Sequence, residues 1–274
     1  MTVEPLVSLR VALPYHRRRR DRLLESLLPL ASTLALRLLP RNGLPREQLA
    51  ALGIPAPPTL ERDLTFNALR EILRLLSHGW SRLDLRPLQT KALDRWREPG
   101  PILFLSMHHG QWEWLAGILT TLHPQTLCVA RAPSHPMGRR LLDWLREGIG
   151  LRMSYDHQSL RLGRRQLATG GLLAFLADQR PPGVSRPGLW MGHPTLVSRL
   201  PEWWTEGLPS RIWTGVLHPG SDHYILELKE WDSQVAREWD TLLDQEFLPL
   251  LARSPSDHFG LWHQRLKARI PRPP

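Results

Sequence analysis

The sequence predicts an α/β fold, a mostly parallel central sheet flanked by helices, with an N-terminal helical segment in front of it. Three observations predict this. Short apolar runs at residues 102–107 (ILFLSM), 126–130 (TLCVA), 151–155 (LRMSY) and 172–177 (LLAFLA) are separated by helical-pattern stretches near 112–122, 137–147 and 158–169. Strand, helix and strand in that succession build parallel βαβ units. The 274-residue chain is 42% hydrophobic and 23% charged, which suits a globular chain with a real core. No repeat of solenoid length recurs.

The elements follow in order. Residues 1–60 read as an N-terminal amphipathic, basic helical segment and linker, and residues 61–274 as the α/β domain. Leu23, Leu24, Leu27, Leu28, Ala31, Leu34, Ala35, Leu38 and Leu39 fall on one helical stripe behind the arginine run 17–20. Such a segment can lie in a headgroup layer with its leucines in acyl chains and its arginines on phosphates, and it can equally pack on a core. No run of 18 apolar residues exists, so no spanning helix is expected. Residues 53–58 (GIPAPP) read as the linker and 65–78 as a helix. Residues 212–217 and 223–229, joined by His218-Pro219-Gly220-Ser221-Asp222, read as a hairpin. Helices are expected again near 235–251 and 262–269.

Composition narrows the function classes. The single cysteine, Cys128, excludes an intramolecular disulfide and a cysteine-cage zinc site. The net charge of +10 is concentrated at the ends, since residues 1–41 hold eight Arg against Glu4, Asp21 and Glu25. Residues 253–274 hold four Arg and one Lys against Asp257. Basic ends on a neutral body suit an anionic membrane surface or an acidic carrier protein. Without a zinc-finger or RNP pattern, nucleic acid is not expected as a partner. The 12 tryptophans suit an apolar–aqueous boundary or, as well, a core short of Phe and Tyr.

The polar residues at the strand ends carry the chemistry. His108 follows 102–107, Arg131 follows 126–130, and Asp178 with Gln179 follows 172–177. In open parallel sheets ligands bind beyond the carboxyl ends of the strands, so parallel neighbours would bring these groups to one edge. His108 and Glu113 lie five apart in SMHHGQWEW, with Gly110 allowing the turn. That spacing lets a carboxylate hold one ring nitrogen as N–H and leave the other as a base.

The segment HHGQWE resembles the H-F-G-N-W-E form of the signature of the lipid A lauroyl/myristoyl acyltransferases, within the lysophospholipid acyltransferase superfamily. RAPSHP at 131–136, LADQ at 176–179, WMGHPT at 190–195 and WHQRLK at 262–267 resemble further segments of that family in the same order. His109, Gln111 and His135 stand where Phe, Asn and Asn are usual. The resemblance implies a glycerolipid-acyltransferase-like fold. It also implies an enzyme at the cytoplasmic face of a bacterial inner membrane that moves a fatty acyl chain from a thioester donor, acyl carrier protein or acyl-coenzyme A, to a hydroxyl of a lipid acceptor such as a lipid A precursor. On that reading His108 is the general base and Glu113 its orienting carboxylate, Arg131 meets a phosphate, Asp178 and Gln179 shape the substrate pocket, and no cofactor or metal is called for.

Two other readings fit the residues alone. A metal-dependent hydrolase would use His108, His109 and Glu113 as ligands, although adjacent histidines reach one ion only with awkward geometry. An acyltransferase-like protein that binds lipid without activity would keep the basic ends and the pocket.

Overall fold

The computed structural model describes residues 4–16, 26–31, 44–76, 83–89, 93–130, 132, 136–155, 158–178, 185–190, 193–220, 223–233, 238–258 and 261. Its strands are β1 (Val7–Pro14), β2 (Ile102–Ser106), β3 (Thr126–Ala130), β4 (Met153–Tyr155), β5 (Leu172–Leu176), β6 (Ser185–Trp190), β7 (His193–Ser198), β8 (Arg211–Pro219) and β9 (His223–Trp231). The longer helices are α1 (Leu44–Ala51), α2 (Leu60–Leu76), α3 (Trp112–Leu122), α4 (Pro136–Gly148), α5 (Gln158–Ala168), α6 (Leu200–Thr205) and α7 (Trp239–Arg253). A seven-stranded sheet runs β1-β9-β8-β2-β5-β3-β4, and β6 and β7 form a separate antiparallel pair.

The block from β8 to β4 is parallel throughout, and β9 and β1 add an antiparallel hairpin edge. The inner parallel strands β2, β3, β5 and β8 are buried on both faces along most of their length, which is why their sequences read as apolar runs. Alternate residues nevertheless enter different cores. Leu103, Leu105, Leu127, Leu173 and Ile212 pack on one face with Leu167, Trp204, Trp239 and Phe247. Ile102, Phe104, Cys128, Leu172 and Trp213 pack on the other with Trp96, Trp114, Ile118 and Leu145.

Residues 7–14 correct the expected boundary at residue 60. They form β1, whose register pairs Val7 with Glu230 and Pro14 with His223, so the first residues described belong to the central sheet. Of the expected N-terminal helix, only 26–31 is described and is helical, with Leu28 buried and Leu27 and Leu30 exposed. The remainder of that stripe, the arginine run and the expected helix at 262–269 lie outside the described residues. The stretch 53–58 is a tight connection between α1 and α2, with Ile54 buried in the core. Among the described residues no helix is long and apolar enough to cross a membrane. Trp96, Trp114, Trp204, Trp213, Trp231 and Trp239 are fully buried, so tryptophan here is chiefly a core residue.

Strand order positions the site. The chain passes from β2 over β5 to β3 and on to β4, then returns through α5 to insert β5 between β2 and β3. The helix after β2 lies on one face, and the segment after β5, with Trp190 and Val197, packs into the core of the other. The connections leaving these two neighbours therefore diverge. A crevice at such a switch point is the usual ligand position in open α/β sheets.

The loop at this crevice is pinned by its backbone. Gly110 N–H donates to Asp257 O at 2.9 Å, and Gln111 N–H donates to Leu217 O at 2.9 Å. Gly110 has φ +64°, and a Cβ there would stand 2.3 Å from Leu217 O. Left-handed strain alone costs about 1–3 kcal/mol in a non-glycine residue. Gly110→Ala should therefore lose at least that much stability, read as a lowered midpoint in chemical denaturation; an unchanged midpoint would show that the loop relaxes freely.

Candidate active site at the β2–β5 crevice

His108 and Asp178 meet at the switch point because β2 and β5 are parallel and in register, with Ser106 opposite Leu176. Asp178 is 1% exposed and grips His108 with both oxygens. Its Oδ2 accepts the His108 backbone N–H at 2.8 Å, and its Oδ1 lies 2.7 Å from His108 Nδ1. Burial pushes the Asp178 carboxyl up, but the charge and hydrogen bonds of His108, with the charge of His258, outweigh it and hold the group well below the usual carboxylate range. An ionised carboxylate only accepts, so Nδ1 carries a proton in either charge state of the ring, and Nε2 is the nitrogen left bare when the ring is neutral. His258 Nε2 stands 3.8 Å from Asp178 Oδ2.

This corrects the expected pairing. The carboxylate on His108 is that of Asp178, while Glu113 is turned toward α4 and receives two hydrogen bonds from Arg146, at 2.6 and 3.1 Å. The reason is the start of α3 at Trp112, which places Glu113 in the first helical turn facing α4 rather than the loop. Arg146 also donates to Tyr155 Oη at 3.1 Å. Glu113 and Arg146 form a buried ion pair, and the carboxylate in contact with His108 is that of Asp178, expected at the pocket edge. Arg131 and Gln179 lie outside the described residues, although the adjacency of β3 to β5 does bring the end of β3 to the same edge.

The geometry also separates the groups needed for the metal-hydrolase reading. His109 points away from His108 into a buried cluster, with ring centroids 5.7 Å from His258 and 5.9 Å from His218. Burial, reinforced by those two rings, holds its pKa well below the ordinary histidine value. Among the described residues no group of three His, Cys, Asp or Glu is disposed to hold a metal ion.

Two recesses flank Trp112, whose ring meets that of His108 edge-on at 5.3 Å. A narrow apolar cavity of about 50 Å³ runs between α3 and strands β2, β3 and β5. Its wall extends from Trp112 to Leu119, about 10 Å at the helical rise. Phe104, Ala116, Leu151 and Met153 line it, and Glu113 and Arg146 supply the polar part of its lining. Cys128 lies in the same wall, its thiol pushed up to about 12 by burial and the Glu113 charge, so it is no nucleophile. A smaller recess of about 10 Å³, of mixed polar and apolar lining, is bounded by α2 and the turn Pro255–Asp257.

Helix α2 lies over this end of the sheet. Leu60 and Leu64 sit in one core, while Arg74 donates to the hydroxyl of Tyr224, whose ring sits in the other. Its Glu71 accepts the Glu113 backbone N–H at 3.3 Å and is 2% exposed. Burial, then the Glu113 charge, raise the Glu71 pKa well above the usual carboxylate range. Sequence reasoning missed Glu71, Arg146 and His258, because each reaches the site from an element far away in the chain. No family model matches this chain, and no curated protein matches it.

The Glu71 shift has a testable sign. A carboxyl whose folded pKa is raised keeps its proton longer in the folded state, so folding weakens as pH climbs from the ordinary carboxylate range toward the raised value. Relative to Glu71→Gln, the wild type should lose stability across that window, by up to ~1.4 kcal/mol per pH unit. Denaturant unfolding from pH 4 to 8 reads this; parallel curves for the two proteins would mean that Glu71 titrates like an exposed glutamate.

Proposed function

We propose that this protein is an O-acyltransferase with a glycerolipid-acyltransferase-like fold, moving a fatty acyl chain from a thioester donor to a hydroxyl of a lipid acceptor. The observation that carries the reading is the His108–Asp178 contact, 2.7 Å at the β2–β5 crevice, with the His108 ring 5.3 Å from Trp112, a residue in the wall of the apolar cavity. The resemblance of residues 106–114 and the later segments to the lipid A lauroyl/myristoyl acyltransferases points to the same chemistry.

On this reading the acyl chain lies in the apolar cavity and its thioester stands above Trp112. His108 Nε2 takes the proton of the acceptor hydroxyl as that oxygen attacks the thioester carbonyl, and Asp178 stabilises the imidazolium formed. The tetrahedral species collapses, the C–S bond breaks, and the departing thiolate takes the proton back from Nε2. No acyl-enzyme is needed, which agrees with the unreactive Cys128 thiol. The donor is acyl carrier protein or acyl-coenzyme A, and the basic ends of the chain suit either anionic donor. The exposed Leu27 and Leu30 on the helical stretch 26–31 support peripheral attachment to the cytoplasmic face of an inner membrane.

Purified protein supplied with acyl carrier protein or coenzyme A thioesters and a hydroxylated lipid should release thiol and form an ester, followed by mass spectrometry. His108→Ala and Asp178→Asn should each lower the rate by ~10²–10⁴ while the protein remains folded. Glu113→Gln should act mainly on stability, costing about 1–3 kcal/mol by leaving Arg146 without its carboxylate. A folded Asp178→Asn protein that kept most of its rate, with Glu113→Gln inactive, would return the orienting role to Glu113.

A further inference from the structure

We propose that His258 is a positioning residue for the His108 base: its ring shares the Asp178 carboxylate with His108 and so limits how strongly that carboxylate holds a proton on His108. This rests on the acyl-transfer reading and adds to it the group that sets the working range of the base.

Three ties hold His258 in place. Its N–H donates to Pro255 O at 3.2 Å, which closes the turn Pro255–Asp257. His258 bridges His109 in antiparallel fashion, and Gly110 N–H donates to Asp257 O at 2.9 Å, so the turn is bound to the loop that carries His108. From α2, Asn67 Nδ2 donates to Ser256 O and to Asp257 Oδ1, each at 2.9 Å. The result is a buried ring whose Nε2 stands 3.8 Å from Asp178 Oδ2, the oxygen that also accepts the His108 N–H. Asp178 is thus faced by two imidazoles, His108 at Oδ1 and His258 at Oδ2.

The chemistry of that arrangement is a shared charge. An opposite charge within about 4–6 Å favours the protonated form of a histidine, so a carboxylate given to His108 alone would hold a proton on it strongly. A base that already carries its proton cannot take one from a hydroxyl. A second N–H turned to the same carboxylate draws on its charge and lessens that hold. The ionised Oδ2 selects the His258 tautomer with hydrogen on Nε2, as Oδ1 selects Nδ1–H on His108. A separation of 3.8 Å is too long for a hydrogen bond, yet with both side chains closed off from water it is a weakly screened electrostatic contact.

None of the other charged or titratable groups around His258 takes this place. The ring of His109 packs on it with centroids 5.7 Å apart, and that of His218 on β8 lies 5.9 Å from His109. Those two rings and Arg253, at the end of α7, belong to the same cluster. Asp257 on the adjoining turn is engaged by Asn67 and feels the charge of Arg70 from α2. Glu227 on β9 stands 3.6 Å from His218 and 3.4 Å from Arg10. Among the described residues, His108 and His258 alone bring a nitrogen of a basic side chain within 4 Å of the Asp178 carboxylate.

Nitrogen and carbon NMR of the full chain, labelled in its histidine rings, follows the pKa of His108 in the wild type and in three variants. His258→Phe and His258→Leu remove the donor, whereas His258→Gln keeps an N–H at similar reach. In a folded Phe or Leu variant the His108 pKa should be higher by about one pH unit, and His258→Gln should return most of the way to the wild-type value. Acyl transfer followed against pH should move with it. The variant without the donor should be about tenfold slow below the limb of the profile and should recover the wild-type kcat above it. In the wild type itself, the spectra should show His258 with hydrogen on Nε2; a neutral ring with Nε2 bare would overturn the proposal without any variant. A rate lowered equally at every pH with the His108 pKa unmoved, or a His258→Gln protein displaced as far as His258→Phe, would also overturn it. The pKa displacement in a protein that transfers no acyl chain would keep the positioning role and overturn the acyl-transfer reading instead.

Discussion

Burying an ionised carboxylate costs several kcal/mol unless its surroundings restore what water gave it. Asp178 meets that constraint with two hydrogen bonds from a single residue, the backbone and the ring of His108. Bonds to a charged group contribute about 1.5–3 kcal/mol each, enough to offset much of the cost. The consequence is a histidine whose backbone position, ring orientation and tautomer are fixed by one side chain. Much else at this end of the sheet serves that contact. Gly110 lets the loop turn beneath Leu217, the turn Pro255–Asp257 accepts a hydrogen bond from it, and His258 stands 3.8 Å from the same carboxylate.

The contact exists because of strand order. His108 and Asp178 are 70 residues apart in the chain and become neighbours only when β5 inserts between β2 and β3. The same reversal sends the following segments to opposite faces of the sheet, which opens the crevice. Trp112, at the start of α3, stands beside His108 and lines both an apolar cavity and a smaller recess.

Much of this was legible in the sequence. The apolar runs and helical stretches between residues 102 and 177 match the observed elements within a residue or two, because period and turn chemistry are local properties. The strand-end positions of His108 and Asp178 were legible for the same reason. Their pairing was not, since spacing along the chain favours Glu113, and only the order of the strands decides for Asp178. Glu113 shows the limit clearly: in sequence it is the nearest carboxylate to His108, and in the fold the helix start carries it to Arg146. At the N-terminus, Val7, Leu9, Val11 and Leu13 do alternate as a strand should, but the arginines and leucine stripe that follow point to a helix. The tryptophans illustrate the opposite ambiguity, since composition cannot separate an interfacial ring from a core ring, and packing puts six of the 12 fully inside.

The central claim is that Asp178 fixes the proton of neutral His108 on Nδ1 and leaves Nε2 as the base. Nitrogen NMR of protein labelled in its histidine rings, with His108 assigned by its loss in His108→Gln, reads the tautomer directly. The account predicts a protonated Nδ1 and an unprotonated Nε2 in the neutral ring, a state kept in Glu113→Gln and lost or averaged in Asp178→Asn. A neutral His108 with its proton on Nε2, or a tautomer indifferent to Asp178→Asn, would contradict it.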